Sequence, residues 1–162
     1  MKYFITIAVL FFTLQLSAQD AKEKLYNPNA DAKLQLSGSV AIADSLGKNV
    51  FVQVGGNWCT WCLKFNKFCK DDRDIDTLLN NNYVVVHLNY SAENKNLDVL
   101  KTIDFPQRFG FPVIVILNRK GERIHTQDTA LLESEGTYDR NKVISFLKYW
   151  TNKALNPKNF EK

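Results

Sequence analysis

Cys59 and Cys62 stand three residues apart with Thr60 and Trp61 between them, and Cys69 is the third and last cysteine of the 162-residue chain. Two thiols at that spacing can open and close a disulfide. The residues before them form a short β-rich apolar run, Asn49-Val50-Phe51-Val52-Gln53-Val54, that ends in Gly55-Gly56. From Cys59 to Asp71 there is no Gly or Pro, and Cys62, Phe65, Phe68 and Cys69 recur at helical spacing. The pair therefore falls in the first turn of an amphipathic helix. Unpaired N–H groups and the positive end of the macrodipole stabilise a thiolate there. A free cysteine titrates near ~8.5, and Cys-X-X-Cys motifs at helix starts bring this to about 3.5–7.5. Residues three apart on a helix have Cβ atoms ~5–6 Å apart, so a small adjustment reaches the ~3.5–4.5 Å of a disulfide. Cys59 can attack a substrate sulfur, and Cys62 can release it by closing the intramolecular bond.

The pair could instead be a structural disulfide in a binding module without catalysis. As a metal site, Cys59, Cys62, Cys69 and His87 match a Cys₃His count but not its spacing, and His87 lies in an apolar strand. Haem attachment needs His after the second cysteine, where Leu63 stands. Neither a metal nor a cofactor is expected. Cys69 is seven residues beyond Cys62, about 10.5 Å along a helix, and disulfides need Cα atoms within about 7 Å. It reads as a small buried hydrophobe. His87 and His125 read as structural, Trp150 as a core residue, and Lys64, Lys67 and Lys70 as a solvated helix face. Trp58 fits a groove at the exposed strand end, while Trp61 fits either a groove or a core cap.

The elements that must hold the pair follow from periodicity. A leading helix over Ser39 to Leu46, with Val40, Ala41, Ile42, Ala43 and Leu46 as its apolar residues, stops at Gly47. After the cysteine helix come a short helix over Ile75–Leu79, a strand over Tyr83–Asn89 and a helix over Leu97–Ile103. Pro112–Leu117 and Glu122–Gln127 form a hairpin around Asn118-Arg119-Lys120-Gly121, and a last helix covers about Asp139–Lys153. Strands alternating with helices imply parallel pairing, with the hairpin adding an antiparallel edge. The fold class is α/β, a mixed four-stranded sheet flanked by helices.

Asn57-Trp58-Cys59-Thr60-Trp61-Cys62-Leu63-Lys64 resembles the Trp-Cys-X-X-Cys-X-Lys heart of thioredoxin-like proteins, especially their exported single-domain branch. The resemblance continues through Gly110-Phe111-Pro112-Val113 and the Asn118–Glu122 hairpin, and spans roughly residues 38–153. It implies a thioredoxin-like fold and thiol–disulfide oxidoreductase activity, with Cys59 as exposed nucleophile and Cys62 as buried resolving thiol. It also implies a cis bond at Pro112, shaping a substrate groove with Trp58, Trp61 and Phe111. The implied partners are protein thiols or disulfides and a further, unidentified redox partner, with the chain itself a monomer. Three positions depart from the family. Thr60-Trp61 replaces thioredoxin's Gly-Pro, Lys67 replaces a mid-helix proline, and Gln53 replaces a buried acid. An amide cannot accept the proton that Cys62 must lose.

Lys2, the apolar stretch Phe4 to Leu16 and Ser17-Ala18-Gln19 read as a signal peptide over residues 1–19. The stretch falls short of the ~20 residues of a transmembrane helix, so no membrane attachment is expected after cleavage. A lead-in segment over 20–37, a domain over 38–153 and a tail over 154–162 would follow. Export places the protein in the periplasm or outside the cell, where disulfides persist. A net charge of +4 from scattered Lys and Arg lacks the clustered basic face of a nucleic-acid binder.

Overall fold

A computed structural model describes residues 24–161. The signal-peptide reading and the first residues of the lead-in lie outside the described residues. Helix α1 (Ala32–Leu46) leads into β1 (Asn49–Gly55), α2 (Thr60–Asp71), α3 (Arg73–Asn82), β2 (Tyr83–Asn89) and α4 (Leu97–Thr102). β3 (Val113–Leu117), β4 (Arg123–Asp128), the two-residue strands β5 (Glu133–Ser134) and β6 (Thr137–Tyr138), and α5 (Arg140–Tyr149) complete the order. The main sheet has the order β2-β1-β3-β4, four strands of mixed direction, as expected.

The direction of β3 corrects one expectation. β1 and β2 are parallel, but β3 runs antiparallel to β1, so only one pair of the sheet is parallel. The connection is the reason. β2 ends at Asn89, level with Gly55, and α4 has six residues, a span of about 9 Å. A crossover helix lying along the sheet to the far end of a seven-residue strand would span about 23 Å, which α4 does not. The chain instead re-enters the sheet at the end it left, with Val113 beside Val54.

β1 is buried along its whole length because it is central in the sheet and covered on both faces. Val50, Val52 and Val54 face a cluster with Ala43, Val99, Leu100 and Ile103, under α1 and α4. Phe51 faces the other way, into Phe65, Ile75, Phe146 and Leu147 of α2, α3 and α5. At roughly 1.5–3 kcal/mol for each fully buried large apolar side chain, these two layers hold the sheet rigid beneath the cysteines.

Helix α1 starts seven residues before the expected Ser39. The carboxylate of Asp31 accepts the N–H of Leu34 at 2.9 Å and caps it, while Gly47 closes it at φ 66°. Its inward face is Ala32, Leu36, Val40 and Ala43, and Ile42 and Leu46 point outward, more than half exposed. At the other end of the chain, α5 stops at Tyr149, with Trp150 at its C-cap stacked on His125 at 4.2 Å.

Candidate active site

β1 and β2 end, and β3 begins, at one rim of the sheet. The loop leaving β1 carries Asn57, Trp58 and Cys59, the loop leaving β2 carries Tyr90, and the loop entering β3 carries Phe111 and Pro112. α2 begins at Thr60, one position after the expected start at Cys59, so Cys59 is its N-cap, and the Cys59 sulfur accepts the backbone N–H of Cys62 at 3.1 Å. An N-cap side chain normally supplies oxygen for that orphan donor. Here a sulfur does. Cys59 and Cys62 are disulfide-bonded, with Cα atoms 5.2 Å apart. Cys62 has no exposure, but Cys59, expected to be exposed, is only 6% exposed, because it packs in one cluster with Tyr26 and Cys62, with Trp61 and Phe111 against it.

Gly55 and Gly56 read in the sequence as a chain turn. The structure adds a steric requirement. A Cβ on Gly55 would lie 2.4 Å from the Cys62 sulfur, and one on Gly56 would lie 2.4 Å from Trp58 Nε1 and 2.6 Å from the Tyr90 carbonyl oxygen. Neither position has room for a side chain.

Trp58 is 57% exposed, and its Nε1–H donates to the Tyr90 carbonyl at 2.7 Å. Its ring meets Phe111 edge-on at 5.4 Å, and Phe111 leans on Tyr90 at 4.7 Å. Phe111 also packs against the cysteine pair. The Phe111–Pro112 bond is cis, and the Pro112 carbonyl accepts from the Thr129 hydroxyl at 2.5 Å. Trp58 and Phe111 thus meet as one aromatic wall beside the cysteines, with buried Pro112 following Phe111. Trp61 touches the pair as well but joins other aromatics: it meets Tyr138 edge-on at 5.4 Å, and Lys64 Nζ lies 4.4 Å over its ring.

Three residues at this rim were not singled out in the sequence: Tyr26, Asn57 and Tyr90. Tyr26 is wholly buried in a cluster with Cys59 and Cys62. Asn57 holds it by both backbone groups, Oδ1 accepting the Tyr26 N–H at 3.1 Å and Nδ2 donating to the Tyr26 carbonyl at 2.7 Å. Gln53 Nε2 donates to the Tyr26 hydroxyl at 2.6 Å and to the Cys62 carbonyl at 3.0 Å. For Tyr26 the sequence offers an aromatic opening the turn Tyr26-Asn27-Pro28-Asn29 in the lead-in segment. His87 is paired with Gln53 across β1 and β2, and its ring meets Tyr26 edge-on at 5.7 Å. Burial, and then the charge of Lys70, lowers its pKa to about 4, so it is neutral near pH 7.

Cys69 is free and buried with Phe51, Phe65 and Ile75, away from the pair, as the helical spacing suggested. Burial first, and then the carboxylates of Asp72 and Asp76, push its thiol far above the ordinary cysteine value. Among the described residues, no group of three or more His, Cys, Asp or Glu is placed to hold a metal ion, and no helix is long and apolar enough to cross a membrane.

The sequence matches the thioredoxin-like family over residues 31–119, a span that holds the cysteine motif and Phe111-Pro112. No curated protein matches the chain. Among solved structures it is similar to a disulphide isomerase from Xylella fastidiosa Temecula1, with TM-score 0.69 and 23% identity, covering 79% of this chain and 97% of that one. It is also similar to a thioredoxin from Thermus thermophilus, with TM-score 0.53 and 20% identity over 76% and 88% of the two chains. At these identities the likeness is one of fold.

Proposed function

This chain belongs to the thioredoxin-like family, and from that premise we propose that it is an exported thiol–disulfide oxidoreductase in which Cys59 attacks and Cys62 resolves. One observation carries the reading: the sulfur of Cys59 caps α2, while Cys62 lies buried one turn behind it. A substrate thiolate that bonds to the Cys59 sulfur breaks the Cys59–Cys62 bond, and the electron pair leaves on Cys62. In the reverse sense the Cys59 thiolate attacks a substrate disulfide, and Cys62 then displaces the substrate from Cys59. The potential of the pair against that of its partner sets which sense dominates.

Trp58, Phe111 and Pro112 form the groove that takes the substrate chain, with Trp61 supporting the pair from the other aromatic cluster. The substrates are protein thiols and disulfides, met by a monomer and renewed by a separate redox partner. Export rests on the Lys2, Phe4–Leu16 and Ser17-Ala18-Gln19 pattern, and places the exchange in the periplasm or outside the cell.

The test is covalent trapping in the producing cell. Cys62→Ser keeps the nucleophile and removes the group that releases substrate, so it accumulates reductant-sensitive high-mass adducts on a non-reducing gel. Cys59→Ser forms none. Adducts from Cys59→Ser alone would reverse the two roles, and adducts from neither variant would reject exchange in favour of a non-catalytic binding module.

A further inference from the structure

Tyr26 is a buried ionisable side chain beside the pair that the exchange above leaves unused. Its backbone is tied to Asn57 on both sides, so its ring is fixed relative to the cysteine loop. Its oxygen receives a hydrogen from Gln53 at 2.6 Å. Gln53 gives its other Nε2 hydrogen to the Cys62 carbonyl, so the amide has no donor left for the sulfur. The proton of the Tyr26 hydroxyl is uncommitted among the described hydrogen bonds. The reacting atom on that side is the Cys62 sulfur: a Cβ on Gly55 would lie 2.4 Å from that sulfur and 2.9 Å from the Tyr26 oxygen, so both atoms border the same space over Gly55, and Tyr26 and Cys62 share one buried cluster.

We propose that Tyr26 donates its O–H to the Cys62 sulfur when the disulfide opens, stabilising the thiolate that leaves. The proposal rests on the oxidoreductase reading. In the step, a substrate thiolate bonds to the Cys59 sulfur, the Cys59–Cys62 bond breaks, and its electron pair goes to Cys62. The tyrosine proton stays on its own oxygen as a hydrogen-bond donor, so no proton is transferred. When Cys62 attacks the mixed disulfide in the reverse step, that hydrogen bond is released. At the position where the family resemblance implied a proton-accepting acid, this chain carries an amide that orients a donor. Burial raises the phenol's pKa well above its ordinary value, which keeps Tyr26 a donor wherever the thiolate forms. The other ionisable groups bearing on the cluster are His87 from β2, Lys70 from α2 acting on His87, and Tyr138 from β6 acting on Tyr26.

The test follows the thiolate absorbance of Cys62 against pH in a Cys59→Ala background, where Cys69 stays protonated because its thiol is pushed up. Adding Tyr26→Phe, which keeps the ring, is expected to cut the thiolate fraction about tenfold at a given pH, raising the Cys62 pKa by about one unit, in the range for a lost hydrogen bond to a charged group. Far-UV circular dichroism checks that the variant folds. An unchanged or lowered Cys62 pKa in the folded variant overturns the proposal. If Tyr26→Phe does not fold, Gln53→Met removes the donor that orients the phenol, and the Cys62 pKa must rise there too or the proposal falls. Trapping by Cys62→Ser is read separately, so loss of the oxidoreductase reading and loss of this hydrogen bond give different results.

Discussion

The sulfur of Cys59 accepts the N–H of Cys62 at 3.1 Å, so the group proposed to attack is also the cap of the helix that holds the group proposed to resolve. In the dithiol form the same N–H and the helix dipole favour a thiolate at Cys59. Cys59 is expected to titrate below the ~8.5 of a free cysteine and to be alkylated by iodoacetamide well before Cys62 at pH 7. Mass spectrometry of a time course reads the order, and equal rates at the two sites would contradict it.

The two glycines Gly55 and Gly38 make opposite predictions for the same change. Gly55→Ala, at the buried end of β1, drives a methyl into the Cys62 sulfur, which is wholly buried in α2, tied to Cys59, and cannot swing aside. The cost is of the order of overpacking, about 1–3 kcal/mol or more, and disulfide formation should fail first. Gly38 lies inside α1 with nothing within 4 Å of its would-be Cβ. Gly38→Ala should therefore stabilise the protein by roughly 0.5–1 kcal/mol, with exchange unchanged. Thermal unfolding of the two variants separates them, and equal melting shifts would refute the steric reading of Gly55.

Stability should depend on pH through His87. Its folded pKa is lowered to about 4 from an ordinary 6.5, so above pH 6.5 the ring is neutral in both states and its site is fully compatible with folding. Between pH 6.5 and 4 the unfolded chain binds a proton that the native state refuses, and stability falls with falling pH. Below about 4 both states are protonated and this contribution levels off. Asp72, held low first by its hydrogen bond from Arg140, acts in a lower window, losing its contribution as it protonates. Urea midpoints at pH 7.5 and 5 should differ in the native sequence and converge in His87→Phe. An undiminished difference in that variant would assign the effect to another group.

Cys69→Ser should leave disulfide exchange intact. The residue packs against Phe65 and Ile75, not against the pair, and a buried hydroxyl among them costs roughly 1–3 kcal/mol. A variant that melts earlier yet exchanges normally fits. Lost exchange in a folded Cys69→Ser would mean that the third thiol takes part in the chemistry.

Much of this was legible because it is local. The cysteine spacing, the apolar run from Val50 to Val54 and the strand from Tyr83 to Asn89 each carry their own signal within a few residues. The start of α1 was not, because its inward face there is only Ala32 and Leu36 among Lys33, Gln35, Ser37 and Gly38, and the signal that mattered was the cap at Asp31. The direction of β3 depends on the rim at which its connection re-enters the sheet, which no residue of β3 records. The two-residue strands β5 and β6 are too short to show a period. Tyr26 was invisible for the plainest reason: its partners Gln53 and Asn57 stand 27 and 31 positions away.

That separation bears on how such a site can change over generations. The four-residue motif determines which atoms react, but the hydrogen bond proposed for the Cys62 thiolate comes from Tyr26, which packs with Cys62, precedes α1 and lies outside the span matched to the family. Two chains could carry an identical Cys-Thr-Trp-Cys and differ in how willingly the pair opens, through a substitution thirty-odd positions upstream. Inheritance can thus adjust the reactivity of this pair by editing an aromatic in the approach to α1, while the motif itself stays untouched.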